Sequence, residues 1–410
     1  VTWQEGLAHL ASRSPSAIKM GLDRVREALA RLGHPERRVP ALHVAGTNGK
    51  GSVCAIAAAC LTQRYRTGLY TSPHLERVNE RFRVDGEAIS DEALGSCVAG
   101  IVARLGVAHE LTYFELGTLV AFQHFADAGV EIAVLETGLG GRLDATTACA
   151  PIVTAITSID FDHQEYLGST LGAIAGEKAG IVKAGVPLVT SRQAPEALDV
   201  LARAAPSLWL EGRDFESNGT AYRGQRWKLD GLSLALSGPH QRQNLAVALA
   251  ALEVLSERGF PLTDDEVRRG VAATRWPGRF ERFAGAPTVI LDGAHNPAGA
   301  RALRAALDAA YPGVPVHLVF GVLADKELPP MLEALIPRAA TVHLCAPTSE
   351  RARPPERYAA EAERLGAAVS AHASPREALE AARAVAAPDS LVVIAGSLVL
   401  VGELRRVVAR

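Results

Sequence analysis

Short runs of consecutive apolar residues, each closed by glycine or a polar turn, alternate along this chain with longer stretches where apolar residues recur every three or four positions. The first pattern reads as buried strand and the second as amphipathic helix. Ala41-Leu42-His43-Val44-Ala45 is an apolar run that enters a glycine-rich turn, and an Ala-rich helix is expected over 51–64. Thr67 to Tyr70, Glu131 to Leu135 and Ile152 to Ile156 are further strand candidates, with helices over 91–104, 114–128 and 170–179. The first 35 residues read as helix, ending near Gly33-His34-Pro35. Residues 220–236 alternate with turn signals, which predicts an antiparallel ribbon at the sheet's edge. Helices follow at 241–258 and 263–273, and a Gly/Ala/Pro cluster closes at Pro287. From Thr288 a second strand–helix alternation begins, with segments at 288–292, 297–310, 315–320, 326–336, 341–345, 355–365, 376–386, 391–395 and 397–408. The expected class is α/β: a mainly parallel sheet domain carrying a phosphate loop over 1–284, then a smaller Rossmann-like domain over 285–410.

Composition narrows the function classes. With 410 residues, 48% of them hydrophobic, and a formal net charge of −2, the chain is expected to be globular, with no basic field for nucleic acid or a membrane surface. No apolar run reaches the roughly 18–20 residues that span a bilayer. The start, Val1-Thr2-Trp3-Gln4-Glu5, lacks a basic-then-apolar signal pattern. Five cysteines without metal-type spacing (Cys54, Cys60, Cys97, Cys149, Cys345) fit a reducing cytoplasm. Only six lysines stand beside 37 arginines, so a lysine inside a motif marks a place where amine chemistry is wanted.

The strongest single signal is Gly46-Thr47-Asn48-Gly49-Lys50-Gly51-Ser52 between a strand and a helix. Glycines let backbone N–H groups surround phosphate oxygens, and the helix N-terminus adds a favourable dipole. Lys50 is placed to reach the β/γ-phosphates and Ser52 to bond phosphate or its metal. Gly46 precedes Lys50 by four residues rather than six, and Gly51 separates Lys50 from Ser52, which argues against an ordinary kinase or GTPase. Three more motifs follow strands of the same expected sheet: Thr71-Ser72-Pro73-His74, Glu136-Thr137-Gly138-Leu139-Gly140-Gly141-Arg142-Leu143-Asp144, and Asp162-His163-Gln164-Glu165 with Glu177-Lys178 beyond it. Ligands of open α/β sheets sit at the carboxyl ends of strands. A hydroxyl, a carboxylate and an imidazole there make a plausible Mg²⁺ site. Singly, each has a bland reading as a cap or a structural hydrogen bond.

Together these motifs closely resemble the dihydrofolate synthase/folylpolyglutamate synthase family of the Mur-ligase group. The likeness runs from Gly21-Leu22-Asp23-Arg24-Val25 to Asp292-Gly293-Ala294-His295-Asn296-Pro297 and Ala395-Gly396-Ser397. Thr147 departs from it, standing where that string often continues with Asn. The resemblance implies a Mur-type central domain, a C-terminal domain, and ATP between them. It implies ATP binding by Gly46, Thr47, Asn48, Gly49, Lys50, Gly51, Ser52, Asn244, Arg279 and Asp292. Ser72 and Glu136 are expected to hold one Mg²⁺, and Glu136, His163 and a carbamylated Lys178 a second. Thr112, Phe114, Asp144 and Ala145 match a pterin pocket, and Arg81, His295 and Ser397 match glutamate positions. Catalytic roles fall to Lys50, Glu136, His163, Lys178 and His295, with His295 a candidate general base.

The implied chemistry is activation of an acid by ATP, giving an acyl phosphate that the amine of L-glutamate attacks. The acceptor is dihydropteroate, a folate, or both, and the pterin match favours both; the family expectation is a cytoplasmic monomer. Three competitors carry discriminating features. A cell-wall Mur ligase needs a nucleotide-sugar domain, for which the 45 residues ahead of Gly46 are too few. A small-molecule kinase needs no second domain, and a binding module releases no phosphate.

Overall fold

Apolar side chains at nearly every position of β1 (Pro40–Ala45) and β5 (Ile132–Glu136) leave these segments no solvent face, and the computed structural model buries both inside a sheet. The structure describes residues 2–14, 19–106 and 109–409. Contacts divide the chain into two compact units, Val1–Ala235 with Arg242–Thr274, and Leu236–Gln241 with Arg275–Arg410.

The first unit is built on an eight-stranded sheet. Besides β1 and β5 it contains β2 (Thr67–Tyr70), β3 (Phe82–Val84), β4 (Glu87–Ala88), β6 (Ala150–Ile156), β7 (Leu188–Thr190) and β8 (Leu208–Leu210), in the order β4-β3-β2-β5-β1-β6-β7-β8. All pairs are parallel except β2 with β3 and β3 with β4. Val44 lies beside Glu136 and Ala45 beside Ile156, so three strands end at one level. One large core packs helices such as Asp91–Leu105 and Tyr113–Asp127 against the sheet, and a second gathers Ile156, Ile174, Ile181, Leu188 and Leu201. The cysteines are free thiols, four of them buried.

Several details differ from the sequence expectation. The N-terminal helical stretch is two helices, Trp3–Ala11 and Asp23–Leu32; residues 15–18 of that expected span lie outside the described residues. The ribbon of 220–236 does not extend the main sheet. Its strands β9 (Glu216–Ser217), β10 (Ala221–Arg223) and β11 (Lys228–Asp230) form a sheet of their own. Buried Glu253 anchors it, accepting from Tyr222 Oη at 2.7 Å and Trp227 N at 2.9 Å.

The second unit has six strands in the order β12-β13-β17-β14-β15-β16. They are β12 (Glu281–Phe283), β13 (Thr288–Leu291), β14 (Val316–Phe320), β15 (Thr341–Leu344), β16 (Ala368–Ala371) and β17 (Leu391–Ala395). Only β12 runs antiparallel, so residues 281–283 belong with this C-terminal sheet. Helices Pro297–Ala310 and Leu398–Val408 start directly after β13 and β17, capped by Asn296 and Ser397.

Candidate active site

Four turns at the carboxyl ends of β1, β2, β5 and β6 meet in the first unit. After β1 the chain enters the phosphate loop, whose last glycine before Lys50 has φ +90° and faces the Asn244 amide so closely that a Cβ there would collide with it. Only glycine satisfies both conditions. Thr47 N donates to Ser158 O at 2.9 Å and Thr47 Oγ1 to Asp160 O at 3.0 Å, which ties the loop to the turn after β6. Lys50 opens the helix Lys50–Leu61, and its Nζ curls back onto the carbonyls of Gly46 and Thr47, each 3.1 Å away. Ser52 lies in the first turn of the same helix, buried.

Glu136 ends β5, and its Oε2 accepts from Ser72 N, which follows β2, at 3.1 Å. Lys178 comes onto the phosphate loop from helix Leu171–Ala179. It is 3% exposed, and its Nζ donates to Gly46 O at 2.8 Å. Burial, reinforced by the nearby Lys50 charge, brings its amine down to about 7, against the opposing pull of Asp162 and Asp144. The adjacent His163 has a left-handed backbone, φ +50°, with its N–H donating to Asp162 Oδ1 at 2.9 Å. Such a conformation is uncommon in a non-glycine residue.

The expected pterin residues also converge. Phe114, half-buried in a helix whose neighbouring positions are buried, lies against Gly138, where a Cβ would run into its ring. Asp144 accepts from Gly138 N and Leu139 N on one oxygen and from Thr146 N and Oγ1 on the other. Burial raises its pKa while these four bonds oppose the rise. Both of its oxygens are thus engaged by the turn that it holds. Thr112 caps the helix Tyr113–Asp127 in a reciprocal box with Glu115, and Ala145 is buried beside the turn. Arg81 is not a solvated arginine. It is 8% exposed, its Nε donates to His74 Nδ1 at 2.9 Å, and its guanidinium lies 5.1 Å from the Tyr113 ring centroid.

In the second unit, Asp292 accepts from Phe280 N at 2.8 Å and Ala294 N at 2.9 Å, bracing the turn after β13. Burial raises its pKa, while Arg279 and His240 pull it down. His295 Nδ1 lies 2.7 Å from Gly293 O, a carbonyl that can only accept, so Nδ1 carries the proton and Nε2 is the basic nitrogen. Gly396 N donates to Ala294 O at 2.9 Å, which places the Ser397 turn beside that of His295.

Two descriptions of known domains match this chain: the Mur ligase middle domain over residues 44–252 and the Mur ligase glutamate ligase domain over 278–398. The folylpolyglutamate synthase of Lacticaseibacillus casei is 36% identical across 99% of this chain and 98% of its own length. The dihydrofolate synthase/folylpolyglutamate synthase of Bacillus subtilis is 36% identical over 83% of this chain and 84% of its own. The chain belongs to the dihydrofolate synthase/folylpolyglutamate synthase family. An Escherichia coli FolC structure in complex with DHPP and ADP superposes with a TM-score of 0.91, at 33% identity over 100% of this chain and 98% of that one. Members of this family are ATP-dependent Mur-type ligases.

A family member of this kind works on ATP with Mg²⁺, and the residues present fit that ion. Among the described residues no group of three or more His, Cys, Asp or Glu closes around a metal on its own. Mg²⁺ takes one or two carboxylates from the protein and completes its octahedron with phosphate oxygens and water, and Glu136, whose Oε2 meets Ser72 N, offers one such carboxylate. Among the described residues, no helix is long and apolar enough to cross a membrane. The sequence motifs include His74, His43 and Thr146 without assigning them a role, and Tyr113, which with His74 holds Arg81, carries no signal of its own. A signal for His43 was available, as the lone polar residue in the run before Gly46.

Proposed function

We propose that this ligase joins the amino group of L-glutamate to the carboxylate of dihydropteroate and, in later rounds, of folates. The observation that carries the reading is the meeting of the turns at 46–52, 72, 136 and 158–160 at one end of the sheet, with the buried amine of Lys178 on Gly46 O. The acid's carboxylate oxygen attacks the γ-phosphorus of ATP and ADP leaves. The glutamate nitrogen then attacks the acyl carbon and inorganic phosphate leaves, after the ammonium has lost its proton. Lys50, released from the Gly46 and Thr47 carbonyls by the incoming triphosphate, stabilises the transferring phosphoryl group. Ser72, Glu136, His163 and Lys178 are the residues assigned to hold Mg²⁺, which when bound offsets phosphate charge. Lys178 is proposed to take up CO₂ as a carbamate, because a neutral amine is the form that reacts and this one is half-neutral near pH 7. His295 Nε2 is assigned as base for the glutamate ammonium, with Arg81 and Ser397 binding its carboxylates. Asn244, Arg279 and Asp292 serve the nucleotide, and Phe114 stacks on the pterin above Gly138. The five free thiols support a reducing, cytoplasmic setting.

The test is ADP release, with mass analysis of product, in the presence of L-glutamate and either dihydropteroate or tetrahydrofolate. Amide product from both acceptors is expected, and from the second alone would reduce the assignment to folate elongation. Lys50→Ala should lower turnover by about two to three orders of magnitude, the loss seen when one such charge-stabilising group is removed. Undiminished turnover refutes the phosphate-loop role.

A further inference from the structure

His43 lies in β1, three residues before the phosphate loop, and its side chain is fully buried. Its Nε2 lies 2.8 Å from Thr146 Oγ1. That hydroxyl in turn lies 2.5 Å from Asp144 Oδ1, to which Thr146 N also donates at 3.0 Å. The second carboxylate oxygen accepts from Gly138 N at 2.9 Å and Leu139 N at 2.8 Å.

The protons follow by counting. Three backbone N–H groups donate to Asp144 and favour its carboxylate form against the rise that burial causes, and a carboxylate only accepts. The Thr146 hydroxyl proton therefore goes to Asp144. The Thr146 oxygen is left to accept, so the proton between it and the ring belongs to His43 Nε2. Nδ1 is then a bare lone pair, and it is one of the few buried side-chain nitrogens with no hydrogen-bond partner among the described residues. Burial, with Lys183 acting in the same direction, lowers the ring to about 3 and keeps it neutral. A histidine held in one tautomer, with one nitrogen orphaned, is costly to retain for packing alone.

The chain of bonds ends on the turn that carries Glu136. Thr137 N donates to Val44 O at 2.9 Å, the residue next to His43, so the turn is tied to β1 from both sides. We infer that His43 is a positioning residue: its Nε2–H, relayed through Thr146 and Asp144, holds the 137–144 turn against the phosphate-loop strand and so fixes the Glu136 carboxylate. The inference rests on the magnesium role proposed for Glu136.

The experiment titrates Mn²⁺ into the full chain saturated with a non-hydrolysable ATP analogue and follows binding by electron paramagnetic resonance, which needs no turnover. Thr146→Val keeps the shape and removes the hydroxyl, and it should weaken Mn²⁺ binding about 10- to 100-fold, the usual effect of losing an outer-shell partner. Thr146→Ser restores the hydroxyl and should bind within about twofold of the parent. In the ligase assay the same order should appear as a lower kcat and a raised Mg²⁺ requirement, with KM for glutamate unmoved. If Thr146→Val does not fold, His43→Leu carries the test, since it leaves the Thr146–Asp144 bond intact. Equal Mn²⁺ affinity in the parent, the Val variant and the Ser variant would overturn the relay, as would equal weakening in both variants. A parent that binds Mn²⁺ yet makes no amide would instead sink the ligase reading and leave the relay standing.

Discussion

Replacing Lys178 by methionine is expected to abolish activity and at the same time stabilise the protein. The side chain is 3% exposed, and its amine is lowered from 10.5 to about 7. An unfolded lysine binds a proton through that whole interval, so the depressed value is a stability penalty. The penalty is fully present below the folded value, shrinks as pH rises from 7 towards 10.5, and vanishes above it. At 1.36 kcal/mol per pKa unit, it is about 4 kcal/mol at pH 7 and falls to roughly half that near pH 9. Methionine fills nearly the same volume without the charge, and losing the bond to Gly46 O gives back about 1 kcal/mol. The variant should therefore gain roughly 3 kcal/mol at pH 7. Equilibrium urea unfolding in bicarbonate-free buffer at pH 7 and pH 9 measures the gap, which should narrow at the higher pH. Adding bicarbonate should raise the stability of the parent and leave the variant unchanged, because only an amine forms a carbamate. A methionine variant less stable than the parent at pH 7, or a gap that widens with pH, would show that the reasoning about this buried amine is wrong.

Three further outcomes can be checked with the same preparations. Phe114→Ala should raise KM for dihydropteroate about tenfold through the lost ring face above Gly138, with kcat less affected; an unchanged KM removes Phe114 from the pterin site. Arg81→Lys keeps the charge but loses the fork that reaches His74, and if Arg81 binds glutamate as proposed it should raise KM for glutamate by roughly one order of magnitude in steady-state assays; an unchanged KM removes Arg81 from that role. Thr263→Ala breaks the reciprocal cap of helix Asp264–Ala273 and should lower stability by about 1 kcal/mol in urea unfolding while leaving kcat and both KM values alone.

The phosphate loop was legible in the chain because it is contiguous: strand, glycines, lysine and helix lie within a dozen residues and need no distant partner to be recognised. The strand–helix alternation of the C-terminal unit was legible for the same reason, since each element carries its own period. What escaped is set by contacts between remote residues. Lys178 meets Gly46 across 132 positions and His43 meets Thr146 across 103, and nothing in either neighbourhood announces the other. Arg81 was matched to a glutamate position, but its burial was not legible, because that depends on Tyr113 and His74, which the fold supplies. Strands as short as Leu188–Thr190, Leu208–Leu210 and Ala368–Ala371 offer too few positions for a period to show. The 216–230 ribbon had the right local character, but its separation from the main sheet is decided by the Glu253 anchor from a helix further along.

The thiols lend themselves to practical use. Burial holds Cys60, Cys97, Cys149 and Cys345 at about 12 and raises Cys54 well above the ordinary thiol value, so hardly any thiolate exists near neutrality to meet an alkylating reagent. The native chain is thus a quiet background for labelling chemistry. A single cysteine introduced on an exposed helix face would take a fluorophore or spin label selectively, and motions of either unit during turnover could be followed without first stripping out the natural five.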